Sequence, residues 1–158
     1  MRFESGHMFS AVIAVVSVSV AQDLFALTPG TRQIVVHRIE VGQDASEASE
    51  VLPVQVIRGV GATAGSGGAA VTPAGLGSGG AVATCVVARN NTTASVAGSG
   101  TLTTVLRRSF NAVTGFVTDP APEQRILVKP GQTLLVNLPT APGAALTVSA
   151  EIIFEELN

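Results

Sequence analysis

Between Gly59 and Ala88 the chain carries no charged residue, and glycine recurs at positions 59, 61, 65, 67, 68, 75, 77, 79 and 80. A β-domain that carries such a stretch rarely uses it for chemistry. Glycine and alanine have no reactive side chains, and ordering them is entropically expensive. On either side lie short segments with strand-like alternation, such as Val54-Gln55-Val56-Ile57 and Ala144 to Phe154. The expected object is a small β-domain carrying a long small-residue loop or arm, placed at residues 59–83. Its few bulky side chains (Val60, Val71, Leu76, Val82) are too sparse to order it alone. The arm is therefore expected to be mobile in isolated protein and to order against a neighbour.

A length of 158 residues favours one domain, here 1–158, with enough chain for a single core without staples. Net charge is −2 and only 13% of residues are charged. That composition argues against nucleic-acid binding, which needs a basic stripe. It also leaves a large neutral surface suited to cover by partners. There is no Trp or Tyr, so aromatic platforms for carbohydrate are scarce. The one cysteine, Cys85, excludes an intrachain disulfide, and its apolar setting reads as a buried, unreactive thiol.

The apolar run Phe9 to Ala21 has some features of a secretory signal, with Val-Ser-Val-Ala before Gln22. Glu4 and His7 weaken the basic flank such signals need. Val16, Val18 and Val20 alternate with Ser17 and Ser19, which is a strand pattern. The expectation is an uncleaved strand, too short for a membrane helix.

Phe9 to Leu27 should give one long strand or two, closed by a type II turn at Thr28-Pro29-Gly30. Gln33 to Gln43 should place Val35, His37, Ile39 and Val41 on one face. Leu52 to Val60, Thr84 to Arg89, Thr101 to Phe110 and Ala112 to Thr118 read as further strands. Arg125 to Val128 and Thr133 to Leu138 should form a hairpin around Lys129-Pro130-Gly131-Gln132. The last strand, Ala145 to Glu155, should bury Leu146, Val148, Ala150, Ile152 and Phe154. About eight strands, with proline- and glycine-rich turns, predict an all-β antiparallel sandwich of the jelly-roll type.

No chemical motif stands out. Gly65-Ser-Gly-Gly and Gly77-Ser-Gly-Gly lack the lysine of a phosphate loop. His37 has no companions for a metal site. Arg107-Arg108 reads as a solvated or intersubunit pair, Glu151, Glu155 and Glu156 as an acidic strand end in solvent. Asn90-Asn91-Thr92-Thr93 holds overlapping glycosylation sequons, a common pattern of little weight. No cofactor, metal, small-molecule substrate, nucleic acid or membrane is expected. The candidate interface residues are Gly61, Gly65, Val71, Pro73, Leu76, Arg107 and Arg108.

The order of segments resembles small structural proteins encoded in tailed-phage and prophage virion gene clusters. The resemblance is carried by Asp23-Leu-Phe-Ala-Leu-Thr-Pro-Gly, Ile34-Val-Val-His-Arg-Ile-Glu-Val-Gly-Gln and Val56-Ile-Arg-Gly-Val-Gly. It continues in Ala88-Arg-Asn-Asn-Thr-Thr, Val128-Lys-Pro-Gly-Gln-Thr-Leu-Leu-Val-Asn-Leu-Pro and Ala150-Glu-Ile-Ile-Phe-Glu-Glu-Leu. It implies a non-enzymatic capsid decoration (cement) protein on the virion surface, with the major capsid protein and copies of itself as partners. A trimer is expected, because closed cyclic symmetry covers neutral surface and suits local threefold positions. Alternatives are a tail, baseplate or head-fibre component, or a secreted adhesin or carbohydrate-binding sandwich.

Overall fold

The strands of a computed structural model, which describes residues 6–45, 49–77 and 79–157, lie in two layers. They are β1 (His7–Val18), β2 (Gln22–Thr28), β3 (Ile34–Gln43), β4 (Val51–Val60), β5 (Ala69–Val71), β6 (Ala74–Gly75), β7 (Val86–Asn91) and β8 (Thr101–Asn111). Then come β9 (Phe116–Thr118), a 3-10 turn (Pro122–Gln124), β10 (Ile126–Val128), β11 (Gln132–Leu138) and β12 (Leu146–Glu156). Sheet A runs β10-β3-β12-β1-β6, with β9 also on β3, and sheet B runs β5-β7-β2-β11-β4-β8. All pairings are antiparallel.

Set β5, β6 and β7 aside, and count β9 and β10 as one broken strand along the edge of β3. What remains is two four-stranded sheets, the double-sheet jelly roll. The described residues form twelve strands, not the expected eight or so: β5 and β6 lie inside the glycine-rich stretch, where no strand is expected, and Phe9 to Leu27 forms two.

The core lies between the sheets, where one face of each strand is apolar. β12 alternates without interruption and buries Leu146, Val148, Ala150, Ile152 and Phe154, as its sequence predicts. Phe154 stacks on Phe9 of β1, ring centroids 5.7 Å apart. β3 departs from the expected alternation. Its ladder to β12 shifts between Ile153 and Phe154, leaving His37 as an extra residue. The bulge flips the phase, so Ile34 and Val36 are buried before it and Ile39 and Val41 after it.

Other expectations change because pairing is a tertiary property. The Lys129 to Gln132 turn exists, with Gln132 N donating to Lys129 O at 3.0 Å, but it joins no hairpin. β10 pairs with β3 in sheet A, whereas β11 pairs with β2 and β4 in sheet B. Gly30 does not take the positive φ of a type II turn. Its role is contact, since a Cβ there would collide with the Thr84 carbonyl. Glu156 is not in solvent: it is 0% exposed, and its Oε1 accepts from the Thr84 and Cys85 amides, both at 2.9 Å.

The glycine-rich stretch also differs from the expected free arm. Pairing continues from Val60↔Thr101 through bridges Thr63↔Val96 and Ser66↔Thr93 to Ala69↔Arg89 and Val71↔Val87. Residues 60–71 and 87–101 are thus two legs of one irregular antiparallel ribbon. It leads from the β4–β8 edge of sheet B to the opposite edge, where β5 caps β7. Beyond Val71 the chain reaches sheet A, where β6 pairs with Phe9 and Ser10. Glycine is needed where the legs touch: a Cβ on Gly65 or Gly68 would strike the carbonyl of Thr93 or Arg89. Gly77, Gly79 and Gly80 instead face open space.

Candidate contact surface on the open flank

The ribbon is stapled to the sandwich by a buried acid. Asp23, 1% exposed on β2, accepts from Ser95 N at 2.7 Å and Ser95 Oγ at 2.8 Å through Oδ2. Its Oδ1 accepts from Asn137 Nδ2 of β11 at 2.8 Å. Gly65 N donates in turn to Ser95 Oγ at 3.0 Å, so both legs hang from one carboxylate. Gln22 Nε2 bonds Asn90 Oδ1 beside it, and Asn90 takes a φ of 54° at the end of β7. Asn91, in the overlapping sequons, is buried.

Four further acids are also engaged. Glu155 Oε2 lies 3.1 Å from His37 Nε2 at the β3 bulge, and its Oε1 accepts from Gly6 N. Glu151 accepts from Ser10 Oγ at 2.6 Å, Glu40 pairs with Arg38 at 2.7 Å, and Glu50 accepts from Gly143 N. Cys85 is buried, and its thiol is pushed up from 9.0 to about 12 by that burial and by the Glu156 carboxylate next to it. Such a thiol is a poor nucleophile. Among the described residues no three His, Cys, Asp or Glu side chains gather as metal ligands, and no helix is long and apolar enough to cross a membrane.

The sequence-selected interface residues fall in three places. Gly61 and Gly65 lie on the first leg of the ribbon, Gly61 with its Cβ direction 3.7 Å from Gly100 Cα and Gly65 against Thr93. Val71 ends β5 and packs on the main core. Pro73 and Leu76 flank β6, and Leu76 is 55% exposed beside a shallow pit lined by His7, Met8 and Ala81. Arg107 and Arg108 lie on the opposite flank, in β8.

β8 is the outermost strand of sheet B and, among the described residues, pairs only with β4. Sheet A ends on that side in β9 and β10, so the flank between the sheets is open. Leu106, Arg108 and Phe110 stand opposite Val56, Val54 and Leu52, whose side chains enter the core, and so look into this opening. Arg107 stands opposite Gln55 and points to the outer face. A cleft of about 360 Å³ runs between Leu106 and Arg108 on one wall and Pro120, Ala121, Gln124 and Ile126 on the other. It continues into a second hollow of about 430 Å³ by Phe110 and Phe116. Those two rings, 6.2 Å between centroids, join β8 to β9. Sequence reading found the arginine pair but missed Leu106, Phe110 and Phe116; alternation of apolar residues around Arg108 was the available signal.

A scan against protein-family models and searches of curated proteins and of solved structures found no match to this chain.

Proposed function

We propose that this chain is a non-enzymatic structural protein of a phage particle, a decoration protein that seats on the capsid shell and reinforces the head by surface contact. The observation that supports the contact role is the contrast between interior and edge. The chain's polar side chains are tied into internal bonds at Asp23, Glu155 and Glu156, while the β8 edge and its cleft are left open. The phage setting rests on the sequence resemblance. Binding of this kind draws on buried apolar and backbone surface, roughly 25 cal/mol per Å² of apolar area. Many copies on one particle multiply a modest affinity. In this reading the copies associate as trimers and touch the major capsid protein at local threefold positions. Mass spectrometry of purified virions, separated into heads and tails, is the test. Presence in full heads is expected; absence from them, or presence in tails alone, overturns the proposal.

A further inference from the structure

The free edge of β8 has a defined shape and charge. A bulge at Val105 breaks its ladder, because Val56 pairs with Leu106 and the next residue, Ile57, with Thr104. Beyond the bulge, Leu106 to Phe110 form an uninterrupted edge of roughly 16 Å at about 3.3 Å per residue, and at Asn111 the chain turns away. It contains no proline, and among the described residues no strand pairs with its outer side, although the Arg107 carbonyl accepts from Arg108 Nη1 at 3.0 Å and the Asn111 carbonyl from Gly115 N at 2.9 Å. Side chains alternate along it. Leu106, Arg108 and Phe110 face the cleft and Arg107 the outer surface of sheet B, while Ser109, on the same side as Arg107, also borders the second hollow.

Its electrostatics select the partner. Among the described residues the only ion pairs are His37–Glu155 and Arg38–Glu40, so neither Arg107 nor Arg108 meets a carboxylate. Asp119 lines the same cleft but lies beyond ion-pair distance of Arg108. A second copy of β8 laid antiparallel in full overlap would put Arg107 opposite Val105 and Arg108 opposite Thr104. The guanidiniums of both strands would then crowd around the two-fold axis, which disfavours self-pairing.

From this we infer that the β8 edge, Leu106 to Phe110, is a docking site for an extended acidic segment of a partner protein, which adds to sheet B as a further strand. Main-chain bonds to the edge supply affinity, and alternate side chains supply selectivity. The segment carries apolar residues opposite Leu106 and Phe110, a carboxylate opposite Arg108 inside the cleft and another opposite Arg107 outside it. The inference rests on the reading of this chain as a contact module, but not on the identity of the particle.

The test is a titration of the full, isotope-labelled chain with the peptide Ser-Val-Thr-Glu-Asp-Leu-Thr, followed by amide NMR. Expected are shifts confined to β8 and the cleft, and binding at least ~10-fold weaker for the analogue with Lys-Lys in place of Glu-Asp. The double variant Arg107→Glu, Arg108→Glu, whose exposed positions leave the fold intact, should reverse that preference. Equal response to both peptides, shifts elsewhere, no response, or a stronger response at β8 to a single-stranded oligonucleotide would each overturn the inference. Because the titration uses purified chain, its outcome is separate from presence in phage heads.

Discussion

Replacing Asp23 by alanine should unfasten the ribbon and weaken the whole domain. The carboxylate is buried and holds two donors, the Ser95 amide and one Asn137 amide hydrogen. The Ser95 hydroxyl can rotate, and the second Asn137 hydrogen keeps the Gln22 carbonyl at 3.2 Å. Two orphaned donors, the Asn137 one buried and the Ser95 one part-buried, at about 1–3 kcal/mol each give a loss of about 4 kcal/mol. That is a large part of the 5–15 kcal/mol typical of a domain. At roughly 2–4 °C per kcal/mol for this size, Tm should fall by about 8–16 °C. Asp23→Asn keeps one acceptor oxygen but turns an NH₂ toward a donor, and should cost about half as much. Thermal melts measure the total. Hydrogen exchange measures its location: the amides of Thr63, Ser66, Thr93 and Val96, which zip the two legs together, should lose protection first. A Tm change below about 2 °C, with those amides still protected, would refute the assignment of Asp23 as the fastener.

Phe154→Ala removes a fully buried ring stacked on Phe9 and should cost about 3–5 kcal/mol, read from urea unfolding; a loss under 1 kcal/mol would mean a different register. The two kinds of glycine should respond oppositely. Gly68→Ala drives a methyl into the Arg89 carbonyl and should lose about 1–3 kcal/mol, whereas Gly77→Ala meets open space and should be neutral or gain up to about 1 kcal/mol; equal melting temperatures would contradict the close-contact role. For Cys85 the folded thiol titrates at about 12 against an ordinary 9.0. The folded state therefore keeps its proton where the unfolded state has lost it. This contribution to stability is complete below pH 9.0 and declines as pH rises toward about 12. Cys85→Ser should flatten that part of the stability profile, and iodoacetamide at pH 8 should not label the native chain; rapid native labelling would show an accessible thiolate.

Features that depend on neighbours along the chain were legible in the residues alone. β12 could be read residue by residue, because a regular strand has a period of two and Leu146 to Phe154 keep it throughout. The Lys129 to Gln132 turn was legible from Pro130 and Gly131, and so was the all-β class from the spacing of turns. Arg107-Arg108 was visible as a pair. The tertiary structure alone decided which strand lies beside which. The bulge at His37 arises from the ladder to β12, so the phase of β3 could not be taken from β3 alone. The Lys129 turn passes between sheets because its two arms find better partners far away in sequence. The glycines of residues 65–68 suggest freedom until the opposing leg, some 25 residues on, is seen to press against them. Asp23 and Glu156 look like surface acids until distant amides close over them. The arginine pair became a candidate site only when β8 proved to be an edge, since a strand's free backbone is a property of the sheet and not of its residues.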